Sequence, residues 1–285
     1  MQKMVWMLER IAPEVLTTVK LRYRILREVL HGQPLGRRQI AQRVGCSERT
    51  ARSEVETLRE KGALEVTFAG ICLTAYGREL LEQADEVIPL LEDLDGLALR
   101  LKREFALDEA IVVPGDSHRD PYVREDLGRA AARYLRSCLF DGCRVAVTGG
   151  TTLAAMAQAM AGKVEARGVL VLPARGGLGG DVEEQANVIA ARIAKAIGAE
   201  YCLLHVPDSL NAEAIETLRH DANIQQVVEL IRSADILVHG IGAALEMAGR
   251  RGLDREGLRV LEEKGAVGEA LRYYFNAAGE VVYSL

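Results

Sequence analysis

Aromatic side chains are scarce: Phe, Trp and Tyr together make up 5% of the 285 residues. A packed interior must therefore be assembled from Leu, Val, Ile and Ala. The five cysteines (Cys46, Cys72, Cys138, Cys143, Cys202) are odd in number and contain no Cys-x-x-Cys pair. The five histidines (His31, His118, His205, His220, His239) have no second ligand at zinc spacing. Both absences point to a reduced, cytoplasmic protein without a structural metal. No apolar run approaches the ~18–20 residues of a membrane span. Glu9 and Arg10 fall where a signal peptide would stay apolar, so no membrane partner is expected. No Gly-x-x-x-x-Gly-Lys-Ser/Thr run exists, which excludes a Walker-type nucleotide loop.

What is present suits a globular chain of two domains: 49% apolar and 27% charged residues. The net charge of −5 argues against a general nucleic-acid binder. Its distribution says otherwise, because residues 1–80 hold 14 Lys and Arg against 9 Asp and Glu. The head thus carries +5 and the remainder −10, as expected for two domains with different partners.

The head reads as three short helices followed by a hairpin. Leu21, Ile25, Leu26, Val29 and Leu30 share one helical face, which ends at Gly32 and Pro34. A second helix buries Ile40, Ala41 and Val44. After Gly45, Ser47 stands at an N-cap and opens a third helix over 48–61, burying Ala51, Val55 and Leu58 and stopping at Gly62. Two helices joined by so tight a turn form a helix-turn-helix, whose second helix enters a major groove. Arg37, Arg38, Ser47, Arg49, Thr50, Arg52 and Ser53 are the candidate DNA contacts. The run LEVTFAGICLT, with Leu64, Val66, Phe68, Ile71 and Leu73 alternating inward, predicts the wing of a winged helix.

Residues 74–105 read as one long helix. Leu80, Ala84, Val87, Leu91, Leu94, Ala98 and Leu101 form a heptad seam suited to pairing with a second copy, with a kink at Pro89 or Gly96. The N-terminal helix (Met4, Leu8, Ile11, Val15, Val19, bent at Pro13) is expected to join this contact. From residue 107 onward, strands at 111–113, 144–148, 169–172, 201–206 and 236–239 alternate with helices at 121–139, 152–160, 182–197, 222–233 and 245–250. That alternation predicts a Rossmann-like parallel sheet, with ligands bound at the carboxyl ends of its strands. The organisation is therefore a winged-helix domain at 1–75, a linker and dimerisation helix at 76–106 and an effector domain at 107–285.

Three loops at strand ends carry chemistry. Gly149, Gly150, Thr151 and Thr152 lead straight into a helix, where backbone amides and the helix dipole suit an anion. Arg175 precedes Gly176, Gly177, Gly179 and Gly180, and Gln185 lies one helical turn further on; Arg offers bidentate phosphate recognition. Gly240-Ile241-Gly242 is an incomplete dinucleotide fingerprint, since Leu245 replaces the third small residue. Arg250 and Arg251 follow as helix caps or a second phosphate clamp. A catalytic site would need a base beside these loops; Glu269, Asp181 and His239 are available, and none sits in a catalytic motif.

The segments RYRILREV, PLGRRQIAQRVGCSERTARSEVETLREKGALEV, VVPGDS, VAVTGGTT, VPARGGLGGDVEEQAN, LVHGIG and YYFNAAGEVV together resemble the SorC/DeoR-like family of sugar-responsive transcription factors. The resemblance implies a homodimeric or homotetrameric repressor of a glycolytic operon that binds double-stranded operator DNA. It implies an effector domain with the phosphosugar isomerase/deaminase-like fold, kept for binding without catalysis, and fructose 1,6-bisphosphate or a related sugar phosphate as effector. Residue by residue, it places one phosphate on Gly149, Gly150, Thr151 and Thr152. Arg175, Gln185, Arg250, Arg251 and Glu269 complete the pocket. The resemblance also implies a further C-terminal strand and helix past Leu285, with a phosphate-holding lysine; either this sequence is a shortened form or its pocket is incomplete. No cofactor, catalytic residue or metal ligand is assigned. The alternatives are a sugar-phosphate isomerase or deaminase with a regulatory DNA-binding head, and a DNA-binding dimer whose body senses nothing.

Overall fold

Pro13 opens the first long helix rather than bending it, because a proline at the first helical position gives up no hydrogen bond. The computed structural model describes residues 7–8, 10–91, 94–117, 120, 122–177, 181–207 and 212–284. Met4, Glu9, His118, Gly179, Gly180 and Leu285, named above, and the first residue of the helix expected at 121–139 lie outside the described residues. The chain divides into two units, Met1–Asp116 and Ser117–Leu285.

In the first unit, α1 (Pro13–Gly32), α2 (Arg37–Val44) and α3 (Glu48–Glu60) enclose a core of Ile25, Val29, Ile40, Ala51 and Val55, all buried. Each of the larger side chains there contributes roughly 1.5–3 kcal/mol by leaving water. Gly45 ends α2 in the left-handed conformation, and Ser47 accepts the Thr50 N–H at 3.0 Å to start α3. Strands β1 (Leu64–Val66) and β2 (Ile71–Leu73) pair antiparallel, with Leu64 opposite Leu73. The inward set is shorter than the alternation predicts. Leu64, Ile71 and Leu73 are buried, whereas Val66 is 45% exposed and Phe68 entirely so. The reason is local: Thr67 and Gly70 close the turn by hydrogen bonds of 2.8 and 3.3 Å, which ends the strand at Val66.

The predicted single helix over 74–105 is two: α4 (Ala75–Leu91) and α5 (Leu94–Glu104). Its inward face overlaps the heptad seam and extends beyond it to Leu81 and Ile88. Leu81, Ile88 and Leu91 are buried in the core of this unit, Leu80 and Ala84 pack against that core, and Val87 is exposed. Tyr23 donates to Asp85 at 2.8 Å and ties α4 to α1.

In the second unit α6 (Tyr122–Cys138) packs on α7 (Thr151–Ala159) beside a parallel sheet. Its strands are β3 (Arg144–Val147), β4 (Leu170–Pro173), β5 (Glu200–Tyr201) and β6 (Ile236–Val238), in the order β5-β4-β3-β6. A 3-10 turn (Val182–Glu184), α8 (Ala186–Ile197), α9 (Ala212–Arg219) and α10 (Ala222–Arg232) connect them. Val145, Val147, Val171, Ile189 and Ile193 form its apolar interior.

Two predicted strands differ. Residues 111–113 pair with nothing among the described residues, and Ile111 is 52% exposed. The strand at 201–206 stops at Tyr201, because the Asn187 amide takes both the N–H and the C=O of Leu204, each at 3.0 Å, in place of a ladder. Beyond β6 comes a second sheet that periodicity did not predict: β7 (Gly242–Ala243), α11 (Ala244–Arg250), α12 (Arg255–Glu263), β8 (Ala266–Ala270), β9 (Tyr273–Asn276) and β10 (Val281–Ser284). It is antiparallel in the order β10-β9-β8-β7, with its own small core of Ala244, Ala248, Leu261 and Tyr274.

Gly128 fixes the approach of α6 to α7: a Cβ there would lie 2.6 Å from the Ala155 carbonyl carbon. Helix propensity alone favours alanine over glycine by about 1 kcal/mol. Gly128→Ala is nevertheless expected to destabilise the protein by about 1–3 kcal/mol, read as a lower midpoint in thermal unfolding.

Candidate functional site

The exposed side of the helix-turn-helix is basic. Arg37 and Arg38 are exposed in the first turn of α2, and Arg49, Arg52 and Ser53 are exposed on α3. Arg49 and Arg52 have no ion-pair partner among the described residues, so their charge is available to phosphate or base edges. Arg38 pairs with Glu48 at 3.2 Å across an open surface, an ion pair worth little. Ser47 and Thr50 are half engaged already, their hydroxyls 2.8 Å apart at the cap of α3.

The loops of the second unit converge on one cleft. β3 ends at Val147, and the two glycines that follow are required by geometry. A Cβ on Gly149 would stand 2.5 Å from the Glu184 carbonyl oxygen. Gly150, at φ 131°, donates its N–H to that same oxygen at 2.9 Å. α7 begins at once with Thr151, and no side chain among the described residues caps it. Its first-turn N–H groups and positive dipole end therefore serve the cleft, which Thr151, Thr152 and Leu153 line. Arg175 enters from the end of β4, and Gly240, Ile241 and Gly242 from the end of β6. The incomplete fingerprint is thus part of the cleft wall.

The second sheet supplies the far side. β7 pairs with β8 so that Gly242 faces Glu269, and α11 ends with Arg250 and Arg251 at the same place. Arg251 Nη2 donates to Glu269 Oε1 at 2.8 Å, and the Arg272 N–H donates to the same oxygen at 2.6 Å. The pair is well covered, with 17% of the arginine and 4% of the glutamate side chain exposed. Arg251 Nε and Nη1 are buried and meet no acceptor among the described residues; an anion in the cleft would supply one. Arg250 pairs with Glu246 at 2.8 Å along the exposed side of α11.

Eight of the nine proposed effector residues line this cleft: Gly149, Gly150, Thr151, Thr152, Arg175, Arg250, Arg251 and Glu269. Gln185 does not. It is half-buried in the junction between the 3-10 turn and α8, directly after the Glu184 carbonyl that holds Gly150. The apolar wall of Leu153, Ile241, Met247 and Leu271 was not read from the sequence. Nor was Tyr274, fully buried beside this cluster, where burial raises its pKa above the usual tyrosine value in the field of Arg251 and Glu269. The signal available was YYFN and VVYS on either side of a turn with Asn276 and Gly279, a hairpin pattern.

The candidate bases are otherwise employed. Glu269 holds Arg251, Asp181 caps the 3-10 turn by accepting the Glu183 N–H at 3.0 Å, and His239 is exposed with Nδ1 3.1 Å from the Gly240 carbonyl oxygen. Among the described residues no group of three His, Cys, Asp or Glu could hold a metal ion, and no helix is long and apolar enough to cross a membrane.

Comparison with known proteins gives a domain family for each part of the chain. A sugar-binding domain family matches residues 91–285, and the CggR N-terminal DNA-binding domain matches residues 18–88. The central glycolytic genes regulator of Priestia megaterium is 41% identical over all of this chain and 84% of its own length. That of Bacillus subtilis is 38% identical over the same shares. The crystal structure of a SorC family transcriptional regulator from Enterococcus faecalis superposes with a TM-score of 0.62 at 38% identity, over 67% of this chain and 78% of that one. The chain belongs to the SorC family of sugar-binding transcriptional regulators. The full-length sorbitol operon regulator from Klebsiella pneumoniae shares the fold, with a TM-score of 0.62 at 19% identity over 94% of this chain and 82% of that one. As a SorC family member the chain is a DNA-binding regulator with a sugar-binding body, not an enzyme, and its partners are operator DNA and a sugar effector.

Proposed function

We propose that this regulator is a cytoplasmic repressor of a glycolytic operon, released by fructose 1,6-bisphosphate or a related sugar phosphate. The naming of its relatives supports the target genes. The observation that carries the effector class is the convergence of one uncapped helix start and three arginines, Arg175, Arg250 and Arg251, on one cleft. Two anionic groups on one small molecule match that arrangement. One phosphate sits on the amides and hydroxyls of Gly149–Thr152, and the other between the arginines, with the sugar carbons on the apolar wall. Residues 1–75 read DNA as a homodimer or homotetramer, 107–285 bind the effector, and 76–106 couple the two.

A thermal-shift screen of phosphorylated sugars tests this reading, because a ligand bound only by the folded state raises the melting temperature. Fructose 1,6-bisphosphate is expected to give the largest rise; no rise with any sugar phosphate sinks the effector reading. Arg175→Ala is expected to abolish sugar-phosphate release from DNA while leaving DNA affinity near wild type, measured by fluorescence anisotropy with and without the sugar. Turnover of fructose or glucosamine phosphates by the wild-type protein would instead favour an enzyme.

A further inference from the structure

The β8–β9 hairpin is closed by two residues, Leu271 and Arg272, between the paired Ala270 and Tyr273. Both have positive φ, 54° and 72°. A two-residue hairpin loop with φ positive at both positions is a type I′ turn, which is normally built from Asn and Gly because other L residues crowd their own carbonyls there. Leucine is among the least suited, and nothing in the register requires it. The apolar interior does not explain it either, since Leu271 is 39% exposed.

Leu271 is one of the residues that line the cleft, together with Arg251 and Leu153. The Glu269 carboxylate oxygen that orients Arg251 also accepts the Arg272 N–H, so one atom holds both the guanidinium and the turn. Disfavoured backbone that is locked by its neighbours at a ligand cleft is conformation kept for its side chain. We propose that Leu271 is a specificity-determining residue of the effector cleft. It covers the carbon skeleton of the bound sugar phosphate and keeps water from the Arg251–phosphate pair, which strengthens that pair by lowering the local dielectric. This rests on the sugar-phosphate reading given above.

The test uses the full chain and fructose 1,6-bisphosphate. Leu271→Gly removes the side chain and relieves the backbone. It is expected to raise the melting temperature of the free protein by about 2–4 °C while weakening fructose 1,6-bisphosphate binding about tenfold. Leu271→Met keeps an apolar cover and is expected to bind within about twofold of wild type. Wild-type affinity in the glycine variant overturns the inference, and so does a lower melting temperature, which would make the turn structural only. Failure of the wild-type protein to bind fructose 1,6-bisphosphate overturns the effector reading itself and this inference with it.

Discussion

Glu269→Ala is expected to destabilise the sugar-binding unit by about 3–5 kcal/mol, the cost of leaving a buried arginine without its counter-charge. Arg251 keeps its place because a carboxylate only 4% exposed holds it at 2.8 Å. Removing that carboxylate also strips the Arg272 N–H of its acceptor at 2.6 Å, adding about 1–3 kcal/mol if the group stays dry. Thermal unfolding should show a midpoint lower by roughly 10 °C, and binding of sugar phosphate should fall with it. The double change Arg251→Met with Glu269→Leu separates the two effects, since a buried ion pair can be exchanged for apolar side chains at little net cost. Stability is expected to return largely while the sugar phosphate no longer binds. If the double variant still releases DNA on adding sugar phosphate, Arg251 is no part of the effector site.

The second large effect lies in the other unit. Arg49 and Arg52 are exposed on α3 and hold no ion-pair partner among the described residues. Arg49→Ala combined with Arg52→Ala is expected to weaken DNA binding by about 2–6 kcal/mol, taking about 1–3 kcal/mol for each arginine withdrawn from a base edge or phosphate. The melting temperature should stay at the wild-type value. Titration at several salt concentrations divides the effect: an arginine on a phosphate lowers the magnitude of the salt slope by about 1, and one on a guanine edge relaxes specificity instead. Unchanged affinity for a duplex selected by the wild-type protein would remove α3 as the reading helix.

Much of the head is legible residue by residue, because its signals are local. Ser47 at the cap of α3, Gly45 at the end of α2 and the buried Ile40, Ala41 and Val44 all follow from spacing within one or two helical turns. The head departs from its sequence pattern where tertiary packing overrides periodicity. Of the seam at 80–101, Leu91 is buried and Leu80 and Ala84 pack against the core, yet Leu81 and Ile88, outside the seam, are buried too and Val87 is exposed, because α4 packs against α1. Phe68 obeys the alternation and is still exposed, because a turn begins one residue before it.

In the body, the glycine loops and the parallel strands are readable, since a short apolar run that ends in glycine and opens a helix has few other uses. What no window of sequence contains is the distance between residue 149, residue 175 and residue 269. The amino-acid sequence by itself determined that the chain carries a basic helix-turn-helix, a glycine-rich α/β body and arginines at loop ends. Only the tertiary structure decided that a second, antiparallel sheet brings Glu269 onto Arg251, that Leu271 stands at the cleft in a left-handed backbone, and that Gln185 stays out of it. Those choices depend on strand pairing across long stretches of chain. Pairing is settled by which apolar faces can be buried together, and a local pattern does not record that.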